Sequence, residues 1–277
     1  MASDDASLSP DTAISAESVS PDDAFLLALD TWTDYVTAAE QIVIHAVAFM
    51  ESRYNEPDGL RLIRMEESFI ARAEEAAALL RPEVESGFPT VHAHALLGLC
   101  GALESYVEDV ILAELLASPS HLSRPAFEKI KVPVSILELP VATRNRRILQ
   151  EASRATSADL ASGVTRHERM LKLVDLSGVV PERIRDAVFL TTEIRNVWAH
   201  RGGIADERFL DKCPKLGFPL GQKVAVQRPL FGRLMHGLTA YAWVIANRYL
   251  DRRQYPRLAA DFVGYEGVFA EVPKVSG

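Results

Sequence analysis

The segment that most restricts the fold is PTVHAHALLGLCGALESYVEDVILAELL, residues 89–116. Its apolar residues recur at helical spacing, and its first half is apolar on nearly every side. Such a helix has to be covered by other elements, so the segment predicts a central, buried helix. The chain has 277 residues and is long enough to enclose that helix in a core.

Helical periodicity dominates the rest of the chain as well, so the predicted fold is an all-α bundle of antiparallel helices. Three prolines interrupt 118–142, where we expect short helical pieces and loop. At most a short strand or hairpin is expected near 217–226. The predicted helices cover 22–52, 59–81, 89–116, 143–155, 158–174, 182–201 and 228–252.

Composition and pattern also suggest how the chain is divided. Residues 1–21 are rich in Ser, Asp and Ala, lack aromatic residues and are predicted to be a disordered acidic tail. Residues 22–87 are predicted to be an N-terminal helical extension packed on the core. The main helical domain is expected over 88–255, and an irregular tail over 256–277.

The charge distribution limits the kinds of partner. Six of the 38 acidic residues and none of the 30 basic residues lie in the first 23 positions, so the rest of the chain is nearly neutral. No broad basic surface for nucleic acid is predicted, although local arginine clusters could suffice. No transmembrane span or signal peptide is evident. The two cysteines suggest neither a disulfide framework nor a set of metal ligands. We therefore expect a cytoplasmic location.

The stretch EIRNVWAHRGGIAD, residues 193–206, combines a helix end with a group of polar residues. Two glycines after Arg201 can end the helix, because glycine adopts the left-handed conformation without steric cost. Asn196 lies one turn before His200, and the two belong to one polar stripe of the helix. Arg195 lies off that stripe. An Arg and a His five residues apart point about 140° from each other on one helix, so the spacing alone is weak evidence for a site.

The longer string resembles the signature of the HEPN superfamily of helical domains, in which Arg, a polar residue and a later His form the site of a metal-independent endoribonuclease. ALESYVEDVI, residues 102–111, is similar to the central helix of that family, and the long last helix ending in ANRYL also fits. The resemblance covers roughly 88–252. It implies catalytic roles for Arg195 and His200, site-orienting roles for Asn196 and Glu104, and an RNA contact for Arg201.

The resemblance also implies a mechanism and partners. RNA is cleaved by attack of its own 2′-OH on phosphorus, so DNA is not expected as a substrate. A homodimer is expected, with the motif helices facing each other, and neither a cofactor, a metal ion nor a membrane is expected to take part. Proteins of this kind act as toxins or phage-defence effectors and are held off by an antitoxin or another regulatory protein.

Two alternatives stay open from the sequence. The chain could be a non-catalytic HEPN module that binds RNA or a protein partner, or a plain helical scaffold whose motif is a coincidence. His92 and His94 lie on different helix faces, so a shared metal ion is not expected there. The arginines of TRNRR, residues 143–147, are interpreted as the solvated start of a helix rather than a phosphate site.

Overall fold

The computed structural model describes residues 20–128, 130–155 and 163–259. These ranges contain nine α-helices and four short 3₁₀ turns, and they contain no β-strand. The all-α prediction is therefore confirmed. The predicted tails fall mostly outside the described residues. The helices are α1 (Pro21–Leu62), α2 (Glu67–Glu85), α3 (Pro89–Ala117), α4 (Pro125–Glu128), α5 (Val141–Ala155), α6 (Val164–Leu171), α7 (Glu182–Arg201), α8 (Glu207–Lys212) and α9 (Arg228–Arg252).

Helix α3 lies at the centre of the bundle, as its apolar sequence predicts. It packs against α1, α7 and α9 on its long sides and against α5 and α6 elsewhere. Ala93, Leu96, Leu99, Val110 and Ile111 are completely buried. Removing this much apolar surface from water is the main stabilising contribution in a bundle of this kind.

The first two helices differ from the prediction in their bounds. Helix α1 continues ten residues past Ser52 to Leu62 and includes Pro57, which is buried. Helix α2 begins at Glu67 rather than near Gly59, and it runs through Pro82 to Glu85. A proline inside a helix removes one backbone hydrogen bond, and both of these helices continue through their prolines while packed along each other.

The start of α1 follows the prediction. Ser20 is its N-cap, and the Ser20 hydroxyl accepts a hydrogen bond from the backbone N–H of Asp23 at 3.1 Å. The N-terminal half of α1 buries Phe25 and Trp32 in the same core as α3. The division between residues 87 and 88 into an extension and a main domain stays a prediction.

The segment between α7 and α9 contains a helix that the sequence did not predict. Helix α8 is capped by Asp206, whose carboxylate accepts from the N–H of Phe209. In place of a hairpin within 217–226, the described chain shows one isolated antiparallel bridge between Ile204 and Lys223. Of the predicted helix 158–174, residues 158–162 lie outside the described ranges, and α6 starts at Val164.

None of the helices in the described ranges is long and apolar enough to cross a membrane.

Candidate functional site

Helix α7 positions the predicted motif and ends where the glycines predict. Gly202 and Gly203 both have positive φ angles, of 60° and 82°. The N–H of Gly203 donates to the carbonyl of Val197 at 3.2 Å, which closes the last turn. A Cβ on Gly203 would lie only 2.8 Å from the Trp198 ring, so only glycine fits there. The ring nitrogen of Trp198 donates to the carbonyl of Val224 at 3.0 Å and fixes this helix end to the returning chain.

Arg195 and Asn196 lie together on the half-buried side of α7. One Nη of Arg195 donates to Oδ1 of Asn196 at 3.2 Å. Ile194 and Val197, their neighbours along the helix, are buried in the core and hold this stretch of α7 in place. The motif arginine is therefore oriented by the polar residue that follows it.

A polar cavity of about 320 Å³ opens beside this pair; we call it the Arg195 cavity. Glu104 reaches it from α3 and forms an ion pair with Arg166 of α6 at 3.0 Å. Arg208 lines it from α8. The structure thus brings Glu104, Arg195 and Asn196 to one cavity. The cavity is lined by Cys100, Leu103, Glu104, Arg166, His167, Val188, Thr192, Glu193, Arg195, Asn196, Arg208, Lys212 and Leu238.

A second ion pair closes the side of the cavity nearest α8. The Lys212 ammonium lies 2.6 Å from the Glu193 carboxylate, and the Glu193 side chain is only 4% exposed. A buried carboxylate needs such a partner, because an unpaired charge in the protein interior is strongly unfavourable. Sequence analysis missed Lys212, since α8 itself was not predicted.

His200 does not line the Arg195 cavity. It is exposed in the last turn of α7, one turn beyond Asn196. No contact joins it to Arg195 within the described chain, which agrees with the divergence expected from the five-residue spacing. A single chain therefore presents the motif arginine and the motif histidine on separate surfaces.

Arg201 is also exposed, at the very end of α7. Its Nε lies 3.5 Å from a carboxylate oxygen of Asp206, and its side chain is 66% exposed. A pair this exposed is weak, so the guanidinium stays accessible to another anion. Its role as an RNA contact stays a prediction.

His167 lines the Arg195 cavity and has a strongly lowered pKa, and it was missed by sequence analysis. Burial, reinforced by the positive charge of Arg166, lowers its pKa to about 4, and the ring packs near Tyr241. It is therefore neutral at neutral pH and is not the proton donor of a reaction there. His167 lies with Val164, Met170 and Leu171 on the apolar face of α6, and nothing in that pattern indicated the nearness of Arg195.

Burial also makes the cysteine of the cavity unreactive. The pKa of the Cys100 thiol is raised to about 12, chiefly by desolvation and further by Glu104, while Arg195 lowers it. The thiolate is the nucleophilic form of cysteine. Cys100 is thus a packing residue within the apolar stretch LLGLCGAL.

The two histidines near the start of α3 have structural contacts. His92 is buried, donates from Nδ1 to the carbonyl of Val226 and stacks on Phe231. His94 is hydrogen-bonded to the carbonyl of Thr90, and its ring packs edge-to-face with the ring of Trp198. No group of three or more His, Cys, Asp or Glu residues with the arrangement of a metal site occurs within the described ranges.

Comparisons of the chain with protein-family models, with curated proteins and with solved structures find no significant match.

Proposed function

We propose that the protein is a metal-independent endoribonuclease that acts as a homodimer. One observation carries the proposal: Arg195, oriented by Asn196, faces an open polar cavity that Glu104 also lines, and the exposed His200 follows one turn later on the same helix. These are the residues that the resemblance to HEPN domains assigns to the active site. The absence of contact between Arg195 and His200 in one chain fits a site completed by a second copy.

The proposed reaction needs a base, an acid and a group that binds the phosphate. His200 accepts the proton of the RNA 2′-OH as the 2′-oxygen attacks the adjacent phosphorus. Arg195 donates to the non-bridging phosphoryl oxygens, whose charge grows in the transition state. The bond from phosphorus to the 5′-oxygen breaks, and that oxygen takes a proton from the protonated imidazole of the partner subunit's His200. The products are a 2′,3′-cyclic phosphate and a 5′-OH.

Glu104 fits a positioning role in this scheme. Its ion pair with Arg166 sets two opposite charges at the cavity wall beside Arg195. The carboxylate lowers the local density of positive charge, and it helps to keep the guanidinium of Arg195 directed into the cavity. A toxin or a phage-defence effector is the biological role we propose, with an antitoxin or another regulatory protein as its partner.

The test is cleavage of single-stranded RNA by the purified full chain in EDTA. His200→Ala and Arg195→Ala should each lower the rate by about 10²-fold or more, since each removes a group acting on the reacting atoms. His45→Ala, an exposed histidine of α1, and Arg185→Ala, an exposed arginine of α7, are the matched controls and should cleave normally. Cleavage that persists in both motif variants would overturn the mechanism, and a fully active monomer in sedimentation analysis would overturn the shared site.

The alternative is a non-catalytic module that binds RNA or a protein, and the position of His200 outside the cavity favours it. In that case the wild type binds RNA and leaves it intact, and its expression does not slow growth. Under the nuclease proposal, expression of the wild type slows growth and His200→Ala relieves the effect.

A further inference from the structure

A large cavity lies on the other side of α7 from the motif residues. It has a volume of about 990 Å³ and is bounded by α7, by the segment 211–216 and by the start of α9; we call it the α7–α9 cleft. This size is at the upper end of the range typical of small-molecule sites. The proposed nuclease reaction makes no use of it.

The lining of the cleft combines an apolar floor with a positive rim. Half-buried Phe189, Leu190 and Leu216 form part of the floor. Five Lys and Arg side chains line the cleft against two Asp side chains, Asp186 and Asp211, and most of the basic ones are exposed at its mouth. The five are Arg183, Lys212, Lys215, Arg228 and Arg233.

The cleft continues into a second hollow of about 610 Å³, which shares Leu216, Pro229 and Arg233 with it. The added space is lined largely by apolar residues, including Phe218 and Leu230. Arg233 is the only charged residue among those lining the second hollow, so the positive charge lies in the α7–α9 cleft. An acidic or phosphorylated head group would meet the basic side chains, and an apolar body would cover the floor.

We propose that the α7–α9 cleft binds an amphipathic organic anion, a small molecule with a carboxylate or phosphate head and an apolar body. The excess of positive side chains selects against neutral and cationic amphiphiles. The apolar floor selects against inorganic anions, which gain nothing from it. Binding removes the exposed part of Phe189, Leu190 and Leu216 from water, and it pairs the head group with guanidinium and ammonium groups.

Lys212 places the cleft next to the Arg195 cavity, because it lines both. Its ammonium is already paired with the buried carboxylate of Glu193. An anion bound in the cleft would compete with Glu193 for this ammonium and so change the charge beside Arg195. Occupancy of the cleft is thereby linked to the electrostatics of the candidate site.

Isothermal titration calorimetry with the full chain, in the absence of RNA, tests the binding. Dodecanoate and dodecyl phosphate, which differ only in the head group, are the two anionic probes, and the tighter of the two identifies the preferred head group. Each is expected to bind with a stoichiometry of one. Dodecyltrimethylammonium and inorganic phosphate should show no saturable binding. Because no RNA is present, the result does not depend on the nuclease proposal.

A variant that fills the cleft gives the structural control. Gly232 of α9 lines the cleft, and a Cβ there would meet nothing within 4 Å, so Gly232→Leu adds a side chain to open space. It should weaken binding of the anionic probes at least about tenfold. Gly59→Leu, at an exposed helical glycine of α1 that also has open space around it, is the matched control and should bind normally.

A charge variant decides the question if Gly232→Leu fails to fold. Lys215→Gln combined with Arg228→Gln should weaken binding of the anions about tenfold. The pair Arg72→Gln and Arg147→Gln removes two exposed cations elsewhere and should have no effect. The proposal is wrong if neither anionic probe binds, if the cationic amphiphile binds as well as they do, or if the cleft variants bind like the wild type.

Discussion

Two clusters of Arg and Glu in this molecule use the same chemistry in opposite ways. In the first, Arg248 of α9 is buried and donates to Glu168 at 2.8 Å and to the carbonyls of Leu176 and Val179. Glu168 also accepts from Tyr241 and from the N–H of Gly178. The second cluster, around Arg195, leaves its guanidinium with one bond to Asn196 and an open cavity in front of it.

One cluster has its charges satisfied inside the protein, and the other leaves a guanidinium open to a ligand. The Glu168–Arg248 cluster has partners for its charged groups within the protein. A Cβ on Gly178 would lie 3.2 Å from Nε of Arg248, which shows how closely the chain surrounds that guanidinium. At Arg195, the groups that would complete the hydrogen bonding must come from outside the chain. Four predictions test this contrast, in order of decreasing effect on stability.

The largest effect is expected from Arg248→Met. The variant leaves the Glu168 carboxylate without its charged partner and two carbonyls without donors, so it should lower the free energy of unfolding by about 3–5 kcal/mol. Arg195→Met should change it by less than about 1 kcal/mol, because its guanidinium is half-exposed. Urea unfolding followed by circular dichroism measures both. Equal losses in the two variants would remove the distinction between the clusters.

The second effect concerns His167 and pH. Its pKa is about 4 in the folded protein and 6.5 unfolded, so between these values the unfolded chain binds more protons and stability rises with pH. The free energy of unfolding is therefore unaffected by the titration of His167 above pH 6.5. It falls as the pH is lowered towards 4, by a total on the order of 3 kcal/mol. In His167→Phe this part of the pH dependence should be missing. His45→Gln, at an exposed histidine, should retain it, and an unchanged profile in His167→Phe would contradict the prediction.

The third effect belongs to the ion pair beside Arg195. Lys212→Met leaves Glu193 buried without its cation and should cost about 1–3 kcal/mol. The double variant Lys212→Met and Glu193→Gln should recover part of that loss, because the stranded charge is removed. A double-mutant cycle from urea unfolding measures this coupling. Additive losses would show that the pair contributes nothing to stability.

The smallest effect on stability is expected at Glu104, which allows its role in the site to be measured separately. Glu104→Gln should change the free energy of unfolding by less than about 1 kcal/mol, since its pair with Arg166 is partly exposed. The rate of RNA cleavage should nevertheless fall. Asp109→Asn is the matched control, because Asp109 lies on α3 like Glu104 and forms a similarly exposed pair with Arg146 of α5, but it does not line the cavity. Equal rates in the two variants would argue against a positioning role for Glu104.

The elements that sequence analysis predicted well are those fixed by local pattern. The first half of helix α3 is apolar on nearly every side, and α7 has buried apolar residues with glycines after it, so both could be placed to within about one residue. Helix α1 was predicted ten residues too short, because the packing against α2 that holds Pro57 inside a helix has no local signal. Helix α8 is six residues long, too short to show periodicity.

The candidate site was only partly predictable for the same reason. Arg195, Asn196 and Glu104 were identified as a group, and the structure places them at one cavity. Arg166, His167 and Lys212 join them through tertiary packing, which no spacing within one helix reveals. The α7–α9 cleft also went unpredicted, since it forms where α7, the segment 211–216 and the start of α9 meet, and half-buried Leu190 at its floor has no local signal for such a space.

During synthesis, Trp198 is made before two of the residues that contact its ring. The residues that hold its ring, Lys223 and Val224, are synthesised about 25 residues later than Trp198 itself. At about 5–20 residues per second, the helix end bearing His200 waits on the order of one to five seconds on the ribosome before its supporting chain exists. A nascent chain therefore carries the motif residues before it has the surroundings that shape this end of the helix.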